Sequence, residues 1–269
     1  MSLEVLCDVR CELGEGPRFR DGVLTWVDVE RCSLHRWDGA HSVVVYDRML
    51  GCANPTDDGD IVLGLADRIE LAGTGEMLAR FPHGADVRAN DGACDAAGRL
   101  WIGTMALDQR EGAAALYRLD GDALTTKLDG LTIANGLGWS PDGTRMYHVD
   151  TPTRRIDVYD YDGELGTRRT LAEIDGFPDG LCVDDDGCVW VAVYGGSRVE
   201  RRTPDGELDR VVAVPEENPT ACCFGGSTLY VTTGRGGGYV YRYDAAVTGP
   251  PAQPFRRTAP SEAEPTSAR

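Results

Sequence analysis

The sequence predicts an all-β protein folded as a six-bladed β-propeller. The first observation is a phrase that recurs six times in the 269 residues, a turn containing Asp or Gly followed by a strand. The second is its period, close to forty residues, which is typical of one propeller blade per repeat. The third is composition. With 34 Gly and 14 Pro in the chain, no stretch shows helical apolar periodicity free of both, so we expect little helix.

One aromatic or aliphatic residue in each strand sets the register of the repeat. These residues are separated by 36, 39, 46, 43 and 40 positions, and they are Trp26, Val62, Trp101, Tyr147, Trp190 and Tyr230. The turns before them have a defined chemistry, as in Asp-Asp-Asp-Gly at 184–187, where Asp bonds to its own backbone and Gly accepts positive φ. Apolar alternation predicts the third or outer strands of four blades at 43–46, 115–119, 156–159 and 239–243.

The repeats account for one domain, residues 1–247. The remaining segment, 248–269, is rich in Pro, Ala and Ser and has no periodicity, so we expect it to be a disordered tail. A Gly-rich stretch at 234–238 has the composition of a phosphate-binding loop. It lacks the Lys-Ser/Thr that such a loop requires and precedes a strand, so we interpret it as the hairpin connection of the last blade.

Charge and cysteine content limit the partners and the compartment. With 44 acidic and 27 basic residues the net charge is −17, which argues against nucleic acid or an anionic membrane as a partner. We identify no signal peptide, membrane-spanning stretch, zinc-like Cys/His spacing or obligatory protein partner. Nine Cys, an odd number without framework spacing, favour free thiols in a reducing compartment, so we expect a cytoplasmic protein.

Four oxygen-bearing side chains occupy the same place in four of the repeats. Glu15, Asn90, Asn135 and Asp179 each precede the register residue of their repeat by eleven or twelve positions. Equivalent positions of a propeller face one axis, so these side chains are expected to converge on a central metal site. Two carboxylates and two amides suit Ca²⁺, Mg²⁺ or Mn²⁺. Alternatively each is a turn residue, since Asn-Gly and Asp-Gly are common turn dipeptides; their shared register favours the metal site.

The same residues carry a family resemblance. The segments 13–17, 88–92, 98–105, 135–140, 178–181 and 221–226 resemble, in order, motifs of the senescence marker protein / gluconolactonase / luciferin-regenerating enzyme family. The resemblance extends from about residue 12 to residue 235. It implies a six-bladed propeller with one divalent cation, Ca²⁺ in the first place and Zn²⁺, Mn²⁺ or Mg²⁺ as alternatives. It also implies hydrolysis of sugar lactones, a small-molecule substrate, and in some members hydrolysis of organophosphates.

Carried over by motif, the resemblance assigns roles to single residues. Glu15, Asn135 and Asp179 become the direct metal ligands, and Asp179 also the catalytic base. Asn90 becomes a further ligand or a substrate contact, and Arg88 the residue that holds substrate oxygens. The family often has an acidic substrate contact in the loop that corresponds to 106–112, and here we expect it to be Glu111, with Asp108 as the alternative.

These observations predict a metal-dependent lactonase that acts by attack of a metal-associated water. The alternatives are an organophosphate triesterase that uses the same cation and a non-catalytic calcium-binding propeller. The chain has no Gly-x-Ser-x-Gly motif, and its four His lie outside the register positions, which argues against a nucleophilic enzyme. His148 follows a register residue on a predicted inner strand, and we expect it to be a packed core residue.

Overall fold

The computed structural model describes residues 3–257, which form six antiparallel sheets. The predicted all-β, six-bladed propeller is confirmed. The helical structure in this part of the chain is a single 3₁₀ turn, Thr151–Thr153. No helix within residues 3–257 is long and apolar enough to cross a membrane. The nine cysteines, all of which fall in the described residues, are free thiols.

Blades 1 to 3 each contain four strands that follow one another in chain order from the axis outward. Blade 1 consists of β2 (Gly14–Arg20), β3 (Val23–Asp28), β4 (Ser33–Trp37) and β5 (His41–Val45). Blade 2 consists of β6 (Leu50–Pro55), β7 (Ile61–Leu65), β8 (Arg68–Leu71) and β9 (Met77–Arg80). Blade 3 consists of β10 (Val87–Cys94), β11 (Leu100–Ala106), β12 (Ala114–Asp120) and β13 (Ala123–Leu131).

Blades 4 and 5 have the same plan. Blade 4 consists of β14 (Ala134–Trp139), β15 (Arg145–Asp150), β16 (Arg155–Tyr161) and β17 (Leu165–Glu173). Blade 5 consists of β18 (Phe177–Val183), β19 (Val189–Tyr194), β20 (Arg198–Arg202) and β21 (Leu208–Ala213). The strands predicted at 43–46, 115–119 and 156–159 correspond to β5, β12 and β16, so each is a third or outer strand.

Blade 6 is assembled from both ends of the chain. It contains β22 (Pro219–Thr233), β23 (Val240–Gly249) and, beside β23, the N-terminal strand β1 (Glu4–Val5). The element β22 doubles back on itself. Thr220 and Thr232, which are 12 residues apart in the chain, have their hydroxyls 2.9 Å apart. The Gly-rich stretch 234–238 joins β22 to β23, as the hairpin interpretation predicts. Pairing of β1 with β23 closes the ring.

The repeated phrase of the sequence builds the same core contact in two blades. Trp101 and Trp190 are fully buried, and each indole N–H donates to a turn carboxylate, to Asp95 at 3.0 Å and to Asp184 at 2.8 Å. The second oxygen of Asp184 accepts backbone N–H groups of its own turn, including that of Cys188 at 2.9 Å. The turn interpretation of 184–187 is therefore confirmed. The turn Asp fixes both the turn and the large side chain that follows it.

The C-terminal segment differs from the disordered tail predicted for 248–269. Strand β23 continues to Gly249, and the following residues pack on the propeller. Phe255 is 1% exposed in a core cluster with Ile69 and Leu100 of blades 2 and 3. Its backbone N–H donates to Pro55 O at 2.7 Å. The prediction is wrong for residues up to 257, and residues 258–269 lie outside the described part of the chain.

Replacing Phe255 by Ala is expected to destabilise the protein by about 3 kcal/mol, because a buried aromatic side chain is lost and leaves a cavity. Thermal unfolding measured by calorimetry at one scan rate tests this. Val44→Ala is the control, since Val44 is 55% exposed on the outer strand β5. Equal melting temperatures for the two variants would contradict the packing described for Phe255.

Candidate functional site

The four register residues lie on the innermost strands of four blades. Glu15 is on β2, Asn90 on β10, Asn135 on β14 and Asp179 on β18. All four line one cavity of about 480 Å³ at the centre of the propeller, and Arg88 lines it with them. We call this space the axial cavity. The structure therefore brings together the residues that the sequence analysis selected from four distant segments.

A β-bulge lies at or beside each of these four residues. The pairing register between the first two strands of a blade shifts just after Glu15, around Asn90, at Asn135 and just after Pro178. A bulge redirects a side chain without ending the strand. The residues are thus strand residues with irregular pairing, and the alternative interpretation as hairpin turns is wrong.

The glycines beside these residues allow neighbouring inner strands to approach closely. A Cβ atom on Gly136 would overlap the carbonyl oxygen of Asp179, and one on Gly180 would overlap the side chain of Ala221. Gly51 occupies the same place in blade 2, where a Cβ would overlap the carbonyl of Ala89. Blade 2 therefore has no room for a ligand side chain at this position.

Two buried oxygens of the axial cavity have no hydrogen-bond partner among residues 3–257. They are Oδ1 of Asn135 and Oδ1 of Asp179. The amide nitrogen of Asn135 donates to Thr151 Oγ1 at 3.1 Å, and that hydroxyl donates to Pro178 O at 2.8 Å, so the amide is held with its oxygen free. Unpartnered buried oxygens are costly unless a ligand satisfies them. A divalent cation fits this pair of atoms.

The two carboxylates of the axial cavity disfavour ionisation while no cation is bound. Burial, together with the charge of Asp91, raises the pKa of Glu15 to about 8. Burial, followed by the charges of Glu15 and Asp91, raises the pKa of Asp179 well above its ordinary value. Carboxylates held close together in a buried site need a positive charge to ionise together. The donor set and its electrostatics both fit a hard divalent cation.

Arg88 and Asn90 form a hydrogen-bonded pair on another wall of the cavity. Arg88 Nη1 donates to Asn90 Oδ1 at 2.9 Å and to Ala89 O at 2.8 Å. Asn90 Nδ2 donates to Ala134 O at 3.0 Å. In contrast to Asn135, the amide oxygen of Asn90 already has a partner. The pair is fixed in place, and the remaining guanidinium N–H groups can serve a ligand.

A buried ion pair lies beside this cavity along the same inner strands. Arg18 Nη2 donates to Asp91 Oδ1 at 3.0 Å and to Gly92 O at 2.6 Å, and Arg18 Nε donates to Asn54 Oδ1 at 3.1 Å. We call Arg18, Asn54 and Asp91 the Arg18 cluster. It joins the inner strands of blades 1, 2 and 3. The repeat pattern does not mark this cluster, although Asp91 follows Asn90 directly and Arg18 follows Glu15 by three residues.

A second cavity of about 480 Å³ lies at the other end of the propeller channel, and we call it the far cavity. Its lining includes Arg18, Ala93, Leu137 and Leu181, which lie two or three residues further along the strands that supply the axial cavity. The two cavities share no lining residue among those described. Residues 250–253 of the C-terminal segment also line the far cavity.

The structure does not bring Glu111 to the axial cavity. Glu111 is exposed, and Asp108 is bound to Arg110 at 3.1 Å on the surface. From the same loop, Leu107 and Gln109 line the cavity instead. The acidic contact at Glu111 therefore stays a prediction, which the position of its side chain outside the cavity does not support. Gln109 has a positive φ of 57°, which turns the chain there; no signal of the repeat marks this loop position.

The rim of the axial cavity contains further residues that the sequence analysis did not identify. Arg235, from the Gly-rich connection of blade 6, forms an ion pair of 2.7 Å with Glu30 of blade 1. Tyr194 and Phe177 of blade 5 line the same space. Phe177 begins β18, Tyr194 ends β19 and Arg235 follows β22, so none of them occupies the repeated position and periodicity could not select them.

The histidines lie away from the axial cavity. His148 is 2% exposed on β15, and burial lowers its pKa to about 4. His148 is thus a packed core residue, as expected. His35 lies in a buried group with Cys11 and Asp28 whose ligand atoms are within 4.8 Å of one another, a proximity that Cys/His spacing did not reveal.

Each member of that group already has protein partners. Trp26 Nε1 donates to Cys11 Sγ at 3.4 Å, and Asp28 accepts the backbone N–H of Glu12 at 2.8 Å. The two ring nitrogens of His35 lie within 3.0 Å of Ser33 Oγ and 2.9 Å of His41 Nε2. We therefore assign no cation to this group.

Similarity to known proteins covers nearly the whole propeller. Residues 13–235 match the model of the family described as SMP-30/Gluconolactonase/LRE-like region. The chain is 37% identical over 243 residues to the 6-deoxy-6-sulfogluconolactonase of Pseudomonas putida, covering 83% of this chain and 84% of that protein. It is 37% identical over 254 residues to the L-arabinolactonase of Azospirillum brasilense, covering 87% and 84%. The solved structure of regucalcin, a calcium-binding protein from Agrobacterium tumefaciens, superposes with a TM-score of 0.87 at 27% identity, covering 94% and 96%.

Proposed function

The chain belongs to the SMP-30/gluconolactonase/LRE-like family, and from this membership and the geometry of the axial cavity we propose that it hydrolyses sugar lactones with the help of one divalent cation. Two relatives at 37% identity are named for lactone hydrolysis, one of a sulfogluconolactone and one of L-arabinolactone. The observation that carries the proposal is the pair of unpartnered buried oxygens, Asn135 Oδ1 and Asp179 Oδ1, in a cavity with a second carboxylate.

The proposed ligands of the cation are Glu15, Asn135 and Asp179. The ligand set contains oxygen only, which favours Ca²⁺, with Zn²⁺, Mn²⁺ and Mg²⁺ as alternatives. When bound, such a cation polarises the lactone carbonyl and stabilises the negative charge that develops on its oxygen. Because the amide oxygen of Asn90 is bonded to Arg88, we assign Asn90 to substrate contact rather than to the cation.

The chain's own residues supply the remaining steps. Asp179 accepts the proton of the attacking water as the new C–O bond forms, and it returns the proton to the ring oxygen as the ring C–O bond breaks, which leaves the open hydroxy acid. Arg88 is held by Ala89 and Asn90 and donates its free N–H groups to substrate hydroxyls, which discriminates sugar lactones from apolar esters. Phe177 and Leu107 line the same cavity and offer apolar contacts to the carbon skeleton of the substrate.

The test is a substrate panel with and without cation. We expect the purified protein to open aldonolactones, to lose this activity after treatment with a chelator and to regain it with Ca²⁺. Activity is measured as the rate of acid release in a pH-stat. Preferential hydrolysis of an organophosphate such as paraoxon would replace the lactonase proposal by the triesterase alternative. Cation binding without hydrolysis of any member of the panel would favour a non-catalytic calcium-binding propeller.

Cation binding near pH 7 is expected to release about one proton or more, because Glu15 has a pKa of about 8 in the cation-free site and ligands must be ionised to bind. Titration calorimetry in two buffers of different ionisation enthalpy measures this number. Glu15→Gln is expected to reduce it. A binding heat that is the same in both buffers would contradict the protonation described for the empty site.

The same pKa gives the stability of the cation-free protein a definite pH dependence. In the unfolded chain Glu15 loses its proton near its ordinary value of 4.5, while in the folded protein it keeps the proton to about pH 8. The folded state therefore binds more protons in between, and stability falls as the pH rises from about 4.5 to about 8. Saturating cation is expected to remove this fall.

A further inference from the structure

Two cysteine thiols touch each other across the boundary between blades 5 and 6. Cys182 is on β18 and Cys222 is in β22, and their sulfur atoms are 3.6 Å apart. Their separation of 40 residues equals the interval between Trp190 and Tyr230, so the two thiols occupy equivalent places in successive blades. The inner strands approach closely here, since a Cβ on Gly180 would overlap Ala221. The sulfurs have to approach from 3.6 Å to about 2 Å to form a bond.

The pair can be reached without entering the axial cavity. Cys182 and Cys222 both line the far cavity, and Cys182 is partly exposed. The sulfur of Cys222 also lies 3.5 Å from the carbonyl oxygen of Trp190, which keeps it beside Cys182. A small molecule that enters the far cavity therefore meets two adjacent thiols at the end of the channel opposite Glu15 and Asn135.

We propose that Cys182 and Cys222 are a reversible modification site, at which they form a disulfide by exchange with a low-molecular-weight disulfide. The Cys182 thiolate attacks one sulfur of the small disulfide, whose S–S bond breaks and releases one small thiol. The Cys222 thiolate then attacks the sulfur of Cys182 in the mixed disulfide, and the second small thiol leaves. Two protein thiols are oxidised, one small disulfide is reduced to two thiols, and the protein sulfurs close to about 2 Å.

The surroundings set the rate of this exchange. Burial, and then the hydrogen bond with Cys222, raise the pKa of Cys182 well above its ordinary value. Since the thiolate is the nucleophile, exchange is slow near neutral pH and accelerates as the pH rises. The product joins blade 5 to blade 6, the blade that closes the ring with the short strand β1. A crosslink there opposes the separation of these two blades.

The experiment incubates the native protein with a series of ratios of oxidised to reduced glutathione at two alkaline pH values. Peptide mapping by mass spectrometry without reduction is expected to show one crosslinked pair containing Cys182 and Cys222, and the number of free thiols counted after denaturation should fall from nine to seven. The melting temperature is expected to rise by roughly 5–10 °C. Cys182→Ser and Cys222→Ser should each abolish the crosslink. Cys188→Ser, in the turn before β19, is the matched control and should keep it.

Peptide mapping of the wild-type protein tests the proposed crosslink without relying on any variant. A crosslink between other cysteines, persistent glutathione adducts on Cys182 without the crosslink, or unmodified thiols at every ratio would each overturn the proposal. A crosslink that forms without a rise in melting temperature would overturn the inferred joining of blades 5 and 6. Reduction by dithiothreitol must restore the original nine thiols if the site is reversible.

Discussion

Asp179→Asn is expected to lower kcat/KM for lactone opening by about 10³-fold while the propeller stays folded. The change removes the proton acceptor, which is commonly worth about 10²–10⁴-fold, and it also removes one charged oxygen from the proposed cation site. Asp179 is 6% exposed, so its carboxylate is costly to bury without a cation. In the cation-free protein the neutral amide therefore should not lower the melting temperature.

Three measurements separate a lost function from a lost fold. Hydrolysis is followed in a pH-stat, cation affinity by titration calorimetry and stability by the melting temperature of the chelated protein. Asp175→Asn makes the same chemical change at an exposed position in the connection before β18 and should behave as wild type in all three. Activity of Asp179→Asn within tenfold of wild type would remove Asp179 from the proposed mechanism.

Arg18→Met is expected to destabilise the protein by about 4 kcal/mol, or roughly 10 °C in melting temperature. The side chains of Arg18 and Asp91 are only 10% and 4% exposed. The variant therefore leaves the carboxylate of Asp91 buried without the guanidinium group that neutralises it. It also removes the donors to Asn54 and Gly92. Removing one partner of a buried ion pair lowers the free energy of unfolding far more than breaking an ion pair on the surface.

Two further variants test this explanation for the Arg18 cluster. Arg36→Met breaks a surface ion pair of 2.7 Å with Asp38 and should change the melting temperature little. The double variant Arg18→Met/Asp91→Asn removes both charges and should recover part of the loss. If the double variant is less stable than Arg18→Met alone, the uncompensated charge of Asp91 is not the cause of the destabilisation.

The period of the sequence predicts both the fold and the position of the candidate site for one physical reason. Each repeat contributes a blade, so equal positions in successive repeats occupy equal places around the axis. Counting back from the register residues therefore selects the side chains that meet in the axial cavity. The same count cannot explain why Gly51 stands at this position in blade 2. The reason is a contact between blades, because the backbone of Ala89 in blade 3 leaves no space for a side chain there.

Features outside the period depend on contacts that the sequence does not mark. The segment around Phe255 has the composition of a disordered tail, but its one aromatic ring packs between blades 2 and 3, against residues such as Ile69 and Leu100 that are distant in the chain. In the loop after β11, the positive φ of Gln109 decides which side chain lines the cavity, and Glu111 is left exposed. Asp91 belongs to a recognisable motif, but its partner Arg18 lies 73 residues earlier.

Closure by the strand β1 has a consequence for synthesis. Blades 1 to 5 can each be completed from one continuous stretch as it leaves the ribosome, because their strands are consecutive. Blade 6 cannot, since β1 pairs with β23, which ends at Gly249. Until then the nascent chain is an open arc with an uncovered strand edge at each end, the state most exposed to misassembly and to chaperones. Strand β1 precedes the strands of all six blades in the chain, yet it is among the last to pair.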